Sequence, residues 1–308
     1  MTIAIIGCGA MGSLFGALLA RAGHVVWMVA NDPDRARLIA SQGIHVEAPS
    51  GPWQVAVAAT ADPRRAPQPD LIFIFVKAYD TPAAAETAAL FAGDATIVTL
   101  QNGLGNVETL VRWFGDERVI GGTTAHGATE IAPGHVRHAG IGATVIGSPG
   151  GKPTGQVAAL AEILRGAGVE AAATKDLDSA VWSKLVVNCG INAVGALTRL
   201  PNGRLIEDPG AAEMLSAAVA EAAVVAAMKG IALAYSDPAA QAQQVCRATA
   251  ANVNSMLQDV LRQRRTEVEA INGALAREGD AVGVATPIND ALANLVGAIE
   301  RNYREQIR

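Results

Sequence analysis

The first twelve residues limit the possible folds more than any other part of the chain. A β-rich run at residues 2–6 leads directly into Gly7-Cys8-Gly9-Ala10-Met11-Gly12, and an apolar stretch with helical spacing follows. This is the G-x-G-x-x-G pattern that joins a strand to a helix in dinucleotide-binding domains. There, the first glycine permits a tight turn, the second lets a pyrophosphate approach the backbone, and the third lets the helix pack on the strand. The alternative interpretation is an ordinary glycine-rich turn.

The first half of the chain continues this alternation of strands and helices. We predict strands at 2–6, 24–30, 71–76 and 95–100, and helices at 11–22, 33–41, 81–91 and 106–114. The segment LIFIFV at 71–76 is apolar at every position, which is typical of a central parallel strand covered on both faces. The pattern predicts a doubly wound parallel sheet. Glycine and Pro-Gly signals at 118–147 indicate a small antiparallel extension.

The second half lacks this strand pattern. After a loop at 148–155, one more helix and a strand at 169–173, helical segments are expected at 176–198, 209–229, 238–258 and 267–278. A length of 308 residues suits about two domains. The predicted fold class is α/β, with an N-terminal Rossmann-type domain at 1–173 followed by an all-α domain at 174–308.

Composition and charge exclude several classes of protein. A net charge of −5 disfavours a general nucleic-acid binder. The start of the chain lacks the basic region of a secretion signal, and the longest apolar stretches are interrupted by Gly, Glu or Lys, so we expect a cytoplasmic protein without a membrane span. Cys8, Cys189 and Cys246 are widely spaced and read as reduced thiols.

Three histidines close together raise the question of a metal site. His126, His135 and His138 lie near one another in the sequence, but their spacing matches no known zinc pattern. We therefore expect no metal.

The end of the second predicted strand leaves the type of cofactor open. Asp32 stands where a carboxylate binds the adenosine ribose of NAD in this fold, whereas Arg35 or Arg37 would suit the 2′-phosphate of NADP. A structural interpretation also exists, because Asn31 and Asp32 precede Pro33 and Asp-Pro commonly starts a helix.

A polar stripe marks the helix predicted at 176–198. Lys184, Asn188 and Asn192 are four residues apart and therefore project along one face of a largely apolar helix. Buried asparagines are costly unless they are hydrogen-bonded, and a substrate would satisfy them. Burial would also lower the pKa of a lysine and make it usable as a general acid. The alternative is a solvent-facing stripe with a structural pair of asparagines.

Several segments together resemble the ketopantoate reductase (2-dehydropantoate 2-reductase) family. They are GCGAMG at 7–12, VKAYD at 76–80, QNGLG at 101–105, the Lys184/Asn188/Asn192 helix, PNG at 201–203 and SMLQDVLRQRRTEVEAING at 255–273. The resemblance covers nearly the whole chain in order. It implies a Rossmann domain, a helical domain and an active site in the cleft between them. It also implies NADPH-dependent reduction of 2-dehydropantoate to pantoate, on the way to pantothenate and coenzyme A.

The resemblance also implies roles for individual residues. Lys184 matches the family's catalytic lysine, and Glu267 matches a carboxylate near that lysine and the nicotinamide. The expected substrate-binding residues are Asn102, Asn188, Asn192, Asn202 and Ser255. The expected cofactor contacts are Gly7, Cys8, Gly9, Ala10, Met11, Gly12, Asn31, Asp32, Lys77, Asn102, Ala128 and Glu267. Members that use NADPH usually carry Arg where this chain has Asn31, so NADP is the first expectation and NAD the alternative.

Other interpretations of these positions stay open. Lys77 suits a solvated strand end, Asn102-Gly103 and Asn202-Gly203 suit turns, and Ser255 and Glu267 suit exposed helix faces. Two other functions are considered, a paralogue acting as an NAD-dependent D-2-hydroxyacid dehydrogenase on another branched 2-oxo acid and a non-catalytic dinucleotide sensor. The Lys184/Glu267 pair argues against a sensor, which needs no proton donor. The expected partners are a small 2-oxo acid and a second copy in a homodimer, with neither nucleic acid nor membrane.

Overall fold

The computed structural model describes residues 1–151 and 155–306, which divide into two compact units. The first unit comprises Met1–Gln101 and Asn106–Leu177, and the second comprises Asn102–Gly105 and the chain from Asp178 onward. The chain thus passes between the units three times, whereas the sequence suggested a single boundary after residue 173. Of the loop expected at 148–155, residues 152–154 lie outside the described part of the chain.

The described residues form twelve strands and twelve α-helices. The strands are β1 (Thr2–Ile6), β2 (Val25–Val29), β3 (Ile44–Ala48), β4 (Gly51–Val55), β5 (Ala58–Thr60), β6 (Leu71–Ile74), β7 (Thr96–Thr99), β8 (Val119–Thr124), β9 (Gly127–Ala132), β10 (His135–Gly140), β11 (Thr144–Gly147) and β12 (Ala171–Ala173). The helices are α1 (Ala10–Arg21), α2 (Pro33–Gln42), α3 (Thr81–Ala89), α4 (Asn106–Phe114), α5 (Gly155–Gly166), α6 (Leu177–Thr198), α7 (Asn202–Leu205), α8 (Pro209–Met228), α9 (Pro238–Ala248), α10 (Ser255–Leu261), α11 (Asn272–Ala281) and α12 (Pro287–Arg301).

The first unit is built on an eight-stranded sheet with the order β12-β11-β8-β7-β6-β1-β2-β5. Six neighbouring strands of this sheet run parallel, in the order β8-β7-β6-β1-β2-β5. The next strand, β11, is antiparallel to β8. The strand order reverses at β1, which is the position where open α/β sheets bind ligands beyond the carboxyl ends of their strands. The α/β fold class with a parallel sheet, expected from the sequence, is confirmed.

The central strand β1 shows why these residues form a buried parallel sheet. Ile3 and Ile5 are fully buried in one apolar cluster with α1, whereas Ala4 and Ile6 belong to a second cluster with α3 and α4 on the opposite face. Side chains alternate between the faces of a strand, so a strand covered on both faces must be apolar throughout.

A second sheet covers α1 and was only partly expected. Its strand order is β4-β3-β10-β9, and Val46 of β3 and Val136 of β10 are fully buried in the same cluster as Phe15 of α1. The extension expected at 118–147 is therefore divided, since β8 and β11 continue the main sheet while β9 and β10 pair with β3. The short strands β3 to β5 were not predicted.

The second unit is helical, and its apolar core lies along α6, α8 and α12. The helix expected at 238–258 is wrong as a single element, because α9 ends at Ala248 and Asn254 caps the new helix α10, its side chain accepting the Leu257 N–H at 3.0 Å. The segment at 267–278 likewise begins as a 3-10 turn, Val268–Ala270, before α11. The helix α12 was not predicted.

By length and composition alone, α6 and α8 could each cross a membrane. Most of α6 is buried within the protein, as is common for the central helix of a helical core.

Candidate active site

The three glycines of the first loop have different surroundings. A Cβ on Gly7, whose φ is +104°, would lie 2.6 Å from the carbonyl carbon of Phe75, and one on Gly12 would lie 1.9 Å from the Gly7 oxygen. A Cβ on Gly9 would meet nothing within 4 Å. Gly7 and Gly12 are therefore required by packing inside the protein, whereas the backbone face of Gly9 is open to a ligand.

The helix that follows this loop offers donors to an anion. α1 begins directly after Gly9, its first turn contains no acidic residue, and no side chain caps it. The first N–H groups of a helix have no partner within the helix, and together with the helix dipole they favour phosphate. The loop and helix thus fit the pyrophosphate of a dinucleotide.

At the end of β2, where the fold binds the adenosine ribose, Asn31 and Asp32 are both exposed. The Asp32 side chain accepts the Asp34 N–H at 2.9 Å and caps α2, as the structural interpretation of Asp-Pro foresaw. Arg37 forms an exposed ion pair with Asp34.

Arg35 turns from the first turn of α2 toward the glycine-rich loop. Its guanidinium donates to the Cys8 carbonyl oxygen at 2.8 Å and forms an ion pair with Glu130 of β9. Both side chains of the pair are largely buried, at 21% exposure for Arg35 and 9% for Glu130. Neither the family motifs nor the periodicity singles out Glu130, because its partner Arg35 lies far away in the sequence.

The loops after β6 and β7 are joined by a residue that sequence reasoning missed. The Gln101 side chain donates to the Val76 carbonyl oxygen at 2.8 Å and to the Thr81 hydroxyl at 2.9 Å. Lys77, one residue after Val76, is partly buried and precedes a 3-10 turn. Ala128 lies in β9, opposite His138 of β10.

The three histidines are separated into different contacts. The Nδ1 of His126 and the Nε2 of His138 share a buried hydrogen bond of 2.8 Å. Burial, followed by the neighbouring His138, lowers the pKa of His126 to about 4. His135 instead contacts Glu47. No group of three or more side chains within residues 1–151 and 155–306 is arranged to hold a metal ion.

In the helical unit, the stripe on α6 combines a lysine with two amides. Lys184 and Asn188 are partly exposed, and Asn192 is buried. Burial lowers the pKa of Lys184 from 10.5 to about 8, and the Glu267 carboxylate opposes this shift. An ammonium group with such a pKa can donate a proton near neutral pH.

Glu267 is itself buried and lies just before the 3-10 turn Val268–Ala270. The segment that contains Asn102 packs on this turn, because Leu104 N–H donates to the Ala270 oxygen at 2.9 Å. A Cβ on Gly103, whose φ is +82°, would lie 2.4 Å from the same oxygen. The glycine of the QNG motif therefore permits the close approach that holds Asn102 near the turn of Glu267.

Asn202 is buried at the start of α7, and its amide has a fixed orientation. Its Nδ2 donates to the Thr249 hydroxyl at 2.8 Å. Thr249 must accept here, because its own hydroxyl donates to the Val245 carbonyl at 2.7 Å. The Asn202 Oδ1 is left as a buried acceptor without a hydrogen-bond partner among the described residues. Its backbone N–H is bound by the Asn252 oxygen.

Ser255 is exposed as the first residue of α10, and the preceding Asn254 ties it to α6. The Asn254 side chain donates to the Ile191 carbonyl at 3.3 Å, beside Asn192. A Cβ on Gly195 would lie 2.2 Å from the Asn254 nitrogen, so this contact requires glycine there.

A further missed residue, Asn272, fixes the backbone of α6. Fully buried, it donates to the Cys189 carbonyl and to the Asn289 side chain, both at 2.9 Å. Cys189 lies between Lys184 and Asn192, so this contact holds the helical turn that carries the stripe. A buried asparagine in the apolar ING segment was the available signal.

Comparison with known proteins covers both units. Residues 3–151 match the family model described as Ketopantoate reductase PanE/ApbA, and residues 176–300 match the model of its C-terminal region. The chain is 38% identical to a 2-dehydropantoate 2-reductase of Archaeoglobus fulgidus, covering 97% of both chains. It is 37% identical to one of Halobacterium salinarum, covering 98% of this chain and 100% of the relative.

Solved structures are similar over the same length. A PanE/ApbA family ketopantoate reductase from Ralstonia eutropha JMP134 has a TM-score of 0.90 at 35% identity, with 99% of this chain and 100% of that chain covered. A D-mandelate dehydrogenase in complex with NADH and anilino(oxo)acetate has a TM-score of 0.92 at 28% identity, with the same coverage. With both family models matched in order and curated relatives similar over nearly the full length, the chain belongs to the ketopantoate reductase family.

Proposed function

We propose that this chain is an NAD(P)-dependent oxidoreductase that reduces 2-dehydropantoate to pantoate. The observation that carries the proposal is Lys184, whose pKa is lowered to about 8 by burial, on one helix face with Asn188 and Asn192 and within electrostatic reach of Glu267. The relatives named 2-dehydropantoate 2-reductases supply the substrate.

The first unit binds the dinucleotide in this proposal. The open backbone at Gly9 and the uncapped start of α1 hold the pyrophosphate, and Lys77 and Ala128 lie in loops or strands expected to contact the cofactor. The bound nicotinamide supplies the hydride for the ketone carbon. NADPH is the first expectation from the resemblance, and NADH is the alternative.

In this proposal, the helical unit binds the substrate and donates the proton. Asn188, Asn192 and Asn202 bind the 2-oxo acid together with Ser255 and Asn102. Lys184 donates its proton to the oxygen of the former ketone and stabilises negative charge there as it develops. Glu267 favours the protonated form of Lys184, because a neighbouring carboxylate raises the pKa of an ammonium group.

Two competing functions receive less support. A D-2-hydroxyacid dehydrogenase that uses NAD would agree with the D-mandelate dehydrogenase structure, but the sequence is closer to several relatives named 2-dehydropantoate 2-reductases. A dinucleotide sensor would not need a lysine with a lowered pKa. A homodimer and a cytoplasmic location belong to the same proposal.

The test is the loss of reduced-nicotinamide absorbance on addition of 2-dehydropantoate, run in parallel with NADPH and NADH. Turnover with either cofactor supports the proposal, provided that Lys184→Ala lowers kcat by on the order of 10²–10⁴. No turnover with 2-dehydropantoate, combined with turnover of another branched 2-oxo acid, would reassign the chain to the dehydrogenase alternative.

A further inference from the structure

The adenosine edge of the dinucleotide site contains a buried ion pair that no family motif assigns. Arg35 lies in the first turn of α2, just beyond the strand end where Rossmann domains place an arginine for the 2′-phosphate of NADP. Its guanidinium contacts the Cys8 oxygen at 2.8 Å and the Glu130 carboxylate. One of the two arginines expected to suit a 2′-phosphate is thus already bound to an anion of the protein.

Separating Arg35 from Glu130 would cost free energy. The Arg35 side chain is 21% exposed and Glu130 only 9%, so the pair is largely removed from water. When one partner of such a pair is withdrawn, the other remains as an uncompensated buried charge. A 2′-phosphate that recruited Arg35 would also approach the negative charge of Glu130.

The remaining charges at the end of β2 do not compensate. Asn31 carries no charge, and Asp32 and Asp34 are both negative. Arg37 is ion-paired with Asp34. Within residues 31–37, two carboxylates balance Arg35 and Arg37, and Glu130 adds a third negative charge. The hydroxyls of an NAD ribose, by contrast, need only acceptors such as Asp32.

The thiol of Cys8 lies within electrostatic reach of both members of the pair. Burial raises its pKa to about 12, with Arg35 lowering and Glu130 raising it. Both charged groups therefore act electrostatically on the second residue of the G-x-G-x-x-G loop, where the dinucleotide phosphates are expected.

We infer that Glu130 is a cofactor-specificity residue, which holds Arg35 against the glycine-rich loop and so gives this chain a preference for NADH over NADPH. The inference rests on the proposed function only in that this loop binds a nicotinamide dinucleotide. It makes Glu130 a positioning residue for Arg35, with no contact to the reacting atoms.

The experiment measures dissociation constants of NADH and NADPH by fluorescence titration without any 2-oxo acid. The wild type is expected to bind NADH at least about tenfold more tightly than NADPH, a difference of about 1.4 kcal/mol. Glu130→Gln releases Arg35 and should shift the ratio about tenfold toward NADPH, with little change for NADH. Adding Arg35→Gln to this variant should remove the gain. The matched control is Glu162→Gln, which alters a carboxylate in an exposed ion pair with Arg165 and should leave the ratio unchanged.

The double variant Arg35→Gln/Glu130→Gln, compared with the wild type, keeps the inference testable if Glu130→Gln does not fold, because it leaves neither charge of the pair unpaired. Because Arg35 is not expected to serve the phosphate, this variant should not weaken NADPH relative to NADH. A tenfold selective loss of NADPH binding would show that Arg35 is the phosphate ligand and would overturn the inference. So would a wild type that prefers NADPH and loses this preference with Arg65→Gln, in the turn after β5. A failure to reduce 2-dehydropantoate affects the proposed function alone, since the titrations contain no such substrate.

Discussion

Replacement of Glu267 by Gln should move the alkaline limit of the reduction to lower pH. Reduction needs the protonated form of Lys184, so activity is lost as the pH rises through the pKa of that group. With a pKa of about 8, Lys184 is about half protonated at pH 8. The Glu267 carboxylate raises this pKa, and its removal should lower the pKa by on the order of one unit.

The size of the effect depends on pH in a way that a general loss of activity would not. After a shift of about one unit, roughly a tenth of Lys184 is protonated at pH 8, so kcat should fall about fivefold there. At a pH two units lower, both proteins are almost fully protonated and this contribution should nearly vanish. Lys184→Ala should instead lower kcat by on the order of 10²–10⁴ at and below neutral pH, where the wild-type lysine is mostly protonated.

The assay is the initial rate of nicotinamide oxidation at saturating 2-dehydropantoate and cofactor, measured across the neutral and alkaline range. Glu269→Gln is a matched control, because Glu269 lies two residues farther on, is exposed and pairs with Arg277. It should keep the wild-type profile. A Glu267→Gln profile with its alkaline limit at or above that of the wild type would refute the electrostatic role of Glu267.

Three further predictions concern the loop, the substrate amides and the thiols. Gly12→Ala should destabilise the protein by about 1–3 kcal/mol or more, because the added Cβ would lie 1.9 Å from the Gly7 oxygen. Gly9→Ala should keep the thermal midpoint and weaken dinucleotide binding, because its Cβ meets nothing within 4 Å. Equal midpoints for the two variants would contradict the packing argument. Thr249→Val should raise the KM for 2-dehydropantoate about fivefold with a smaller change in kcat, because Asn202 loses a hydrogen bond of about 1 kcal/mol that fixes its orientation, and Thr249→Ser should restore it. The thiols of Cys8, Cys189 and Cys246 are buried, with pKa values raised by burial, so an aromatic disulfide reagent should label them slowly in the native protein and rapidly after denaturation; fast native labelling would disprove their burial.

The parts of the fold that were predictable are those in which one strong pattern dominates. The uninterrupted apolar run at 71–76 marks β6 at the centre of the sheet, and the glycine motif marks the turn from β1 to α1. The fourfold spacing of Lys184, Asn188 and Asn192 places them on one helix, because α6 continues unbroken through all three.

The parts that were not predictable depend on partners distant in the sequence. The strands β3 and β4 are short and gain their stability by pairing with each other and with β10. The break between α9 and α10 follows from the cap and the α6 contact of Asn254, which local helix propensity does not record. Gln101, Glu130 and Asn272 likewise show their importance only through the groups that they contact.

The grouping of residues 102–105 with the helical unit has a consequence for how the protein can be made. The hydrogen bond from Leu104 to Ala270 joins residues in opposite halves of the chain. During synthesis, this contact can form only after residue 270 has been made. Such a contact closes a very long loop and belongs to the slow, late stage of folding. A fragment that starts at residue 178 would lack the Leu104 donor for Ala270, so it would not contain the whole of the helical unit.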